Sequence, residues 1–205
     1  MIALQHRLGP AMSLVRGGGW KQVVGRQLSG CVVGVVGLGH VGQELTRLLQ
    51  PFGCRVVASD IRDLSEFAGR HGVTMLPLGD LLAQADVVTL HVPLTAATRG
   101  MIGEEALARM RPGSVLVNTA RGGVVDEAAL LTALREGKLA GAAIDVFAVE
   151  PPNDLELARL PSVLATPHIG GSSEEAILAM GRAALEGLEH ASDPLTLIPS
   201  YLRRP

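Results

Sequence analysis

Three residues capable of acid–base and ion-pair chemistry stand in loops that follow short apolar runs. Arg121 ends the stretch "SVLVNTAR", Glu150 lies within "DVFAVEPP" and His168 lies within "TPHIGG". An arginine offers a planar fork of N–H donors that fits a carboxylate. A histidine exchanges a proton with a hydroxyl near neutral pH, and a neighbouring carboxylate raises the pKa of its imidazole. Together, the three would suit proton transfer on a substrate that carries a carboxylate.

Each of these residues also has a plainer interpretation. Arg121 is suited to a surface ion pair with Asp126 or Glu127. Glu150 precedes two prolines and is compatible with an ordinary polar loop, and a single loop histidine such as His168 is usually just solvated. The recurrence of such residues after separate strands favours a site, because parallel α/β sheets bind ligands at the carboxyl ends of their strands.

A glycine motif predicts a dinucleotide at the same edge of the sheet. Gly37, Gly39 and Gly42 form G-x-G-x-x-G between an apolar run and a helical pattern, and Asp60 ends the next apolar run. The glycines permit a tight turn, a close approach of pyrophosphate and close packing of the helix. An acid at position 60 favours NAD over NADP, although Arg62 nearby weakens this preference. A purely structural turn and an S-adenosylmethionine site are the alternatives.

The alternation of apolar and helical patterns predicts an α/β fold with a doubly wound parallel sheet of the Rossmann type. Strands are predicted at 32–36, 55–59, 87–91, 115–118, 141–145 and 163–165, with a minor one near 73–75. Helices are predicted at 2–16, 41–50, 63–71, 79–84, 104–110, 126–136 and 173–190. Residues at the carboxyl ends of these strands, such as His91 and Asp145, are expected at the ligand-binding edge. His91 is expected to contribute to the adenine-side wall through its backbone.

The composition excludes several other classes of protein. The 205 residues are 47% hydrophobic and carry a net charge of −2, with no basic stripe for nucleic acid. Cys31 and Cys54 lack the spacing of a zinc site and indicate reduced thiols, so we expect no metal. The N-terminus lacks the pattern of a signal peptide, and no apolar run is long enough for a membrane span. A cytoplasmic location with no membrane partner is therefore expected.

Five ordered motifs make the chain resemble the D-isomer-specific 2-hydroxyacid dehydrogenases, which include phosphoglycerate, hydroxypyruvate/glyoxylate and D-lactate dehydrogenases. They are "VGVVGLGHVG", "HVPLTAATRGMI", "MRPGSVLVNTARGGVVDEAAL", "AAIDVFAVEPP" and "ATPHIGGSS". The resemblance covers residues 20–185. It implies NAD-dependent hydride transfer between a D-2-hydroxy acid and a 2-oxo acid. It also implies that Arg121 binds the substrate carboxylate, that His168 is the acid–base group and that Glu150 is its partner.

The resemblance and the glycine motif together give a set of predicted cofactor contacts. These residues are Gly37, Gly39, His40, Val41, Gly42, Asp60, Val92, Pro93, Thr119, Ala120, Arg121, Asp145, His168, Ile169, Gly170 and Gly171.

The resemblance also implies a domain organisation. Residues 1–20 resemble the interdomain and dimerisation helix, 21–190 the NAD-binding domain, and 191–205 the segment that returns to a substrate domain. The substrate domain that precedes these parts in the family is expected to be absent from this chain, which makes the chain a fragment of the full enzyme. A homodimer is expected, and the particular 2-hydroxy acid stays open. The alternative function is a non-catalytic NAD-binding or regulatory module.

Overall fold

The computed structural model describes residues 1–189. It divides the chain into two compact units, Met1–Pro167 and His168–Pro205. The predicted return segment, 191–205, lies outside the described residues.

The first unit contains a parallel sheet of seven strands in the order β3-β2-β1-β4-β5-β6-β7. The strands are β1 (Val32–Val36), β2 (Arg55–Ser59), β3 (Thr74–Met75), β4 (Val87–Leu90), β5 (Ser114–Asn118), β6 (Leu139–Ile144) and β7 (Val163–Ala165). Its helices are α1 (Ile2–Gln5), α2 (Leu8–Arg16), α3 (His40–Leu49), α4 (Ser65–Arg70), α5 (Leu78–Gln84), α6 (Glu104–Arg109) and α7 (Glu127–Arg135). The doubly wound α/β prediction is confirmed, and the strand order reverses between β1 and β4.

Helices cover both faces of the sheet. Successive strand residues point to opposite faces, and in β1 Val33 and Val35 join one apolar cluster while Val36 joins the other. Leu81 of α5 and Leu130 of α7 belong to the cluster that contains Val36. The other cluster includes residues of α1, α3 and α4. The strands are therefore buried on both sides, as their continuous apolar runs predict.

The predicted helix at 2–16 is instead two helices, α1 and α2. The chain breaks at His6 and Arg7, and Arg7 takes a φ of 49°. Pro10 gives the physical reason, because a proline inside a helix clashes with the carbonyl group four residues earlier, here that of His6. The other helices and strands match their predicted positions with ends that differ by one or two residues.

The second unit contains α8 (Glu174–Glu189) among its described residues. The residues before it form a turn in which the N–H of Ser172 donates to the carbonyl of Ile169 at 2.9 Å. The hydroxyl of Ser173 accepts from the N–H of Ala176 at 3.1 Å, which marks the start of the helix.

Candidate functional site

The glycine motif forms the turn between β1 and α3. Gly37 has a φ of 90°, in the left-handed region that favours glycine, and a Cβ there would lie 2.7 Å from the carbonyl oxygen of His91. A Cβ on Gly42 would overlap the carbonyl oxygen of Gly37, so α3 packs directly on the turn. Gly39 is the N-cap of α3, and no side chain caps the helix. The first turn of α3 thus offers N–H groups to an anion, which fits the pyrophosphate of a dinucleotide.

Asp60 follows β2 and reaches back to the glycine turn. Its Oδ2 accepts a hydrogen bond from the backbone N–H of Leu38 at 2.7 Å, and its carboxylate forms a salt bridge with Arg62. The hydrogen bond from the Arg62 side chain, which outweighs the effect of burial, lowers the pKa of Asp60 to about 2. Asp60 is therefore an ionised carboxylate fixed beside the turn, a position from which an acid can bind a ribose hydroxyl.

The end of β4 borders the other side of the glycine turn. Val92 Cγ1 would lie 2.8 Å from a Cβ on Gly37, and the carbonyl of Pro93 accepts a hydrogen bond from the Thr98 hydroxyl at 2.6 Å. His91 Nε2 lies 3.0 Å from Thr89 Oγ1, and burial lowers the pKa of His91 to about 4. His91 is therefore neutral near pH 7. Its carbonyl lies against Gly37, in agreement with a backbone contribution from this residue.

A turn after β5 presents Arg121. The buried side chain of Asn118 closes this turn, because its Oδ1 accepts from the N–H of Ala120 at 3.1 Å and its Nδ2 donates to the carbonyl of Arg121 at 3.0 Å. The Arg121 side chain is exposed, and its Nη1 donates to the carbonyl of Ala120 at 2.6 Å. Thr119 is exposed beside it. An exposed guanidinium on a fixed turn is able to bind an anion such as a carboxylate.

The loop that carries Arg121 crosses the loop that carries Glu150. A Cβ on Gly122 would overlap the backbone carbonyl of Phe147, so the two backbones are in direct contact. The carboxylate of Glu150 accepts from the N–H of Phe147 at 3.0 Å, and that of Glu127 accepts from the N–H of Ala148 at 2.6 Å. The structure thus brings the Arg121 and Glu150 loops together and fixes the second loop to the start of α7.

Asp145 joins the ends of three strands. Its backbone N–H donates to the carbonyl of Asn118, the last residue of β5, at 3.0 Å. Its Oδ1 accepts from the hydroxyl of Thr166, just after β7, at 2.6 Å. The residue is 5% exposed. Asp145 is therefore a buried carboxylate that orders the carboxyl edge of the sheet.

The remaining predicted residues lie at the start of a helix or in the second unit. His40 and Val41 are exposed in the first turn of α3. His168 is the first residue of the second unit, is exposed and has a φ of 54°. Histidine is among the residues that adopt this left-handed conformation more often than most others. Ile169, Gly170 and Gly171 follow it and are exposed.

Sequence reasoning missed two residues that position the candidate site, Asn118 and Glu127. Asn118 had a signal, since asparagine at the end of a strand often closes a turn by bonding to the backbone. Glu127 was considered only as an ion-pair partner of Arg121. Within residues 1–189, that pair and the one with Asp126 do not form: Glu127 holds Ala148, and Asp126 caps α7 by accepting from the N–H groups of two alanines.

Residues 1–189 hold neither a metal-binding group nor a membrane-spanning helix. No group of three histidine, cysteine or acidic residues in this part of the chain is arranged to hold a metal ion. No helix in the same range is both long and apolar enough to cross a membrane.

A comparison with protein families identifies the family of this chain. The model of the D-isomer specific 2-hydroxyacid dehydrogenase, NAD binding domain, matches residues 1–170. The chain belongs to this family. The predicted resemblance and the NAD cofactor are therefore confirmed, and the glycine turn lies within the matched part of the chain.

Named relatives of this 2-hydroxyacid dehydrogenase domain are larger proteins. D-3-phosphoglycerate dehydrogenase of Methanocaldococcus jannaschii is 41% identical over 192 residues, which cover 92% of this chain and 37% of the relative. The enzyme of the same name from Bacillus subtilis is 42% identical over 178 residues, which cover 86% of this chain and 34% of the relative. The chain thus spans about a third of the length of these curated relatives.

Solved structures of the family share the fold of this domain. A glyoxylate reductase from Paecilomyes thermophila has a TM-score of 0.86 at 35% identity, over 92% of this chain and 58% of that structure. A D-lactate dehydrogenase from Aquifex aeolicus, complexed with NAD and lactic acid, has a TM-score of 0.86 at 30% identity, over 92% of this chain and 62% of that structure.

Proposed function

We propose that this chain is the NAD-binding and catalytic part of a D-2-hydroxyacid dehydrogenase, which transfers a hydride between nicotinamide and a D-2-hydroxy acid or 2-oxo acid. The family of the domain supports the reaction type. The observation that carries the proposal is the crossing of the Arg121 and Glu150 loops at Gly122, which places a guanidinium and a carboxylate on adjoining loops.

Each residue of the proposed catalytic set has one task. The Arg121 guanidinium binds the substrate carboxylate with two parallel N–H donors. His168 gives a proton to the 2-oxo oxygen during reduction and takes it back during oxidation, with Glu150 as its proposed carboxylate partner. NAD held at the glycine turn would supply the acceptor of the hydride, and NADH would supply its donor. The chain's residues therefore supply charge, orientation and the proton.

The proposed cofactor contacts follow from the glycine turn and the strand ends. The N-terminus of α3, with His40 and Val41, takes the pyrophosphate, and Asp60 takes the adenosine ribose. Val92 and Pro93, Thr119 to Arg121, Asp145 and His168 to Gly171 line the remainder of the dinucleotide. The absence of a capping side chain at Gly39 supports the pyrophosphate position.

We also propose that a second copy of this chain covers the segment 1–20, which gives a homodimer. Leu8, Met12 and Val15 of α2 are 47%, 42% and 54% exposed. Their spacing of four and three residues places them on one face of the helix. A cavity of about 620 Å³ adjoins them, with Leu8, Pro10 and Val24 among its lining residues. An exposed apolar stripe beside a groove is typical of a subunit interface.

A cytoplasmic location is part of the same proposal. Cys31 and Cys54 are free thiols, and burial raises the pKa of both. Thiols of this kind are little reactive and suit a reducing compartment.

Calorimetric titration with NADH, run beside an NADH oxidation assay on a panel of 2-oxo acids, tests the proposed function. We expect NADH to bind and at least one 2-oxo acid to be reduced. Arg121→Ala should then lower kcat/KM by about 100-fold or more, since a charge-assisted bidentate contact contributes roughly 3 kcal/mol. Arg109→Ala, which removes an exposed arginine paired with Glu105 on α6, is the control.

The other outcomes separate the two functions considered from the sequence. Binding of NADH without turnover of any 2-oxo acid would favour the non-catalytic module. Unchanged turnover in Arg121→Ala would contradict the role of Arg121, and an absence of NADH binding would contradict both functions.

A further inference from the structure

The Arg62 side chain donates hydrogen bonds to the carboxylate of Asp60, the group that is proposed to bind the adenosine ribose. The Asp60 side chain is 6% exposed, whereas that of Arg62 is 56% exposed. Oδ1 of Asp60 accepts from the Arg62 backbone N–H at 2.9 Å and from its Nε at 3.0 Å. Oδ2 accepts from the Leu38 N–H at 2.7 Å and from Arg62 Nη2 at 3.0 Å. The carboxylate therefore has four donors, which fill its roughly four lone-pair positions.

A ribose hydroxyl that donates to Asp60 must displace one of these donors. The N–H of Leu38 belongs to the glycine turn, and that of Arg62 belongs to the backbone just after β2, so neither leaves without movement of the main chain. The guanidinium of Arg62 is on a flexible, half-exposed side chain. It is therefore the donor that NAD has to displace.

The same guanidinium lies beside the second glycine of the turn. Arg62 Nη2 lies 3.7 Å from the position of a Cβ on Gly39, over the second glycine of the turn. Its Nη1 takes part in no hydrogen bond among the described residues and adds two N–H donors. Arginine binds phosphate with paired donors, and an arginine near this position is a known means of accepting the 2′-phosphate of NADP.

The Asp60–Arg62 pair also alters the electrostatics of the subsite. An isolated aspartate repels a 2′-phosphate, but here an adjacent positive charge offsets the carboxylate. The contact is bidentate and its carboxylate is nearly buried, unlike the exposed pair of Arg70 and Glu66 on α4. Exposed pairs of the latter kind contribute little to binding or stability.

We propose that Arg62 determines dinucleotide specificity: it competes with the ribose of NAD for Asp60 and binds the 2′-phosphate of NADP, so this domain accepts both cofactors. The inference rests on the proposed function only in that residues 37–60 bind the dinucleotide. It predicts that loss of the guanidinium weakens NADPH binding and leaves NADH binding unchanged or tighter.

Titration of the chain with NADH and with NADPH, followed by the fluorescence of the reduced nicotinamide, tests this inference without turnover. We expect Arg62→Gln to raise the ratio of the NADPH Kd to the NADH Kd by about tenfold or more, which corresponds to about 1.4 kcal/mol. Arg70→Gln is the matched control, since it removes an exposed arginine from an acidic partner away from β2, and its ratio should equal that of the wild type.

The results distinguish the inference from the proposed function. NADH binding with a Kd ratio that is the same in the wild type and Arg62→Gln would overturn the role of Arg62 alone. A parallel loss of affinity for both dinucleotides in Arg62→Gln would also overturn it. Failure of the wild type to bind either dinucleotide would overturn the proposed function together with this inference.

Discussion

Asn118 shows how one buried side chain controls the presentation of another residue. Its amide group makes two hydrogen bonds across the turn that ends at Arg121. The direction of the arginine therefore depends on a residue that is itself 1% exposed and has no place in the proposed chemistry. A polar side chain at such a depth is stabilising only while both of its partners are present.

Asn118→Ala is expected to lower the free energy of unfolding by about 1–3 kcal/mol, because it leaves two part-buried backbone groups without their side-chain partner. Urea unfolding at pH 7 measures the change. Asn153→Ala, in an exposed loop position, is the control and should change stability by less than about 0.5 kcal/mol. Equal effects of the two substitutions would show that the amide of Asn118 does not hold the turn.

His91 gives the fold a dependence on pH. Its pKa is about 4 in the folded chain and 6.5 as its ordinary value, with burial as the cause. Between these values the unfolded chain binds a proton that the folded chain does not. The contribution of His91 to stability is therefore complete above about pH 6.5 and is lost as the pH falls toward about 4.

We expect the free energy of unfolding of the wild type to fall between pH 6.5 and pH 4.5 with a slope that approaches 1.4 kcal/mol per pH unit from this group. His91→Gln, which can keep a hydrogen bond to Thr89, should remove that part of the slope. Urea unfolding at a series of pH values compares the two proteins. Parallel pH profiles would contradict the assignment to His91. Asp60, with a pKa of about 2, affects stability only below about pH 4.

At the scale of elements, contacts between loops determine the geometry of the candidate site. The start of α7 holds the Glu150 loop through Glu127, while the Arg121 loop lies directly against Phe147. Strands β5 and β6 are neighbours in the sheet, so their following loops leave the same edge side by side. The site is thus built by rigid elements and by the backbone, with a glycine where the two loops touch.

Gly122→Ala and Gly69→Ala should have effects of opposite sign. A methyl group at position 122 overlaps the Phe147 backbone and should destabilise the fold by more than about 2 kcal/mol. Gly69 lies in α4 with nothing within 4 Å of a Cβ, so alanine there should stabilise by about 0.5–1 kcal/mol. Thermal unfolding measures both. A stable Gly122→Ala protein would show that the loops are able to separate.

At the scale of the whole molecule, the exposed apolar face of α2 is the feature that supports the proposed homodimer. Its apolar stripe adjoins a groove that the N-terminal segment itself lines in part. Exposed apolar side chains on one helix face beside a groove often mark a site of protein–protein contact.

Met12→Glu should convert the proposed dimer into a monomer, because a charge at the centre of the stripe would be buried without a partner. Sedimentation equilibrium measures the mass against the 21.4 kDa of one chain. Leu48→Glu, at a 62% exposed position on α3, is the control and should remain a dimer. A wild type that sediments as a monomer at every concentration would contradict the interface.

Local patterns in the sequence predicted most of the fold, and the parts that they missed have separate physical reasons. The glycine turn and Asp60 were predictable because their spacing lies within one β-α-β unit. The break at Arg7 was missed because the apolar pattern continued through Pro10. The role of Glu127 depends on a contact with Ala148, which is distant in sequence, and no periodicity encodes it. Asn118 and Arg62 bond to groups only two or three residues away, so their roles depend on side-chain geometry at a strand end.

The contact between Gly122 and Phe147 also determines which segments of this domain can be replaced by the corresponding segments of a relative. A graft of the segment 145–152 from a relative would place a different main-chain path against the native Gly122. The chimera would fold only if the main chain of the grafted segment leaves the same space for Gly122. Chimeras that take both 118–127 and 145–152 from one parent keep the contact between the two loops. Libraries made for new substrates should therefore transfer these two segments together.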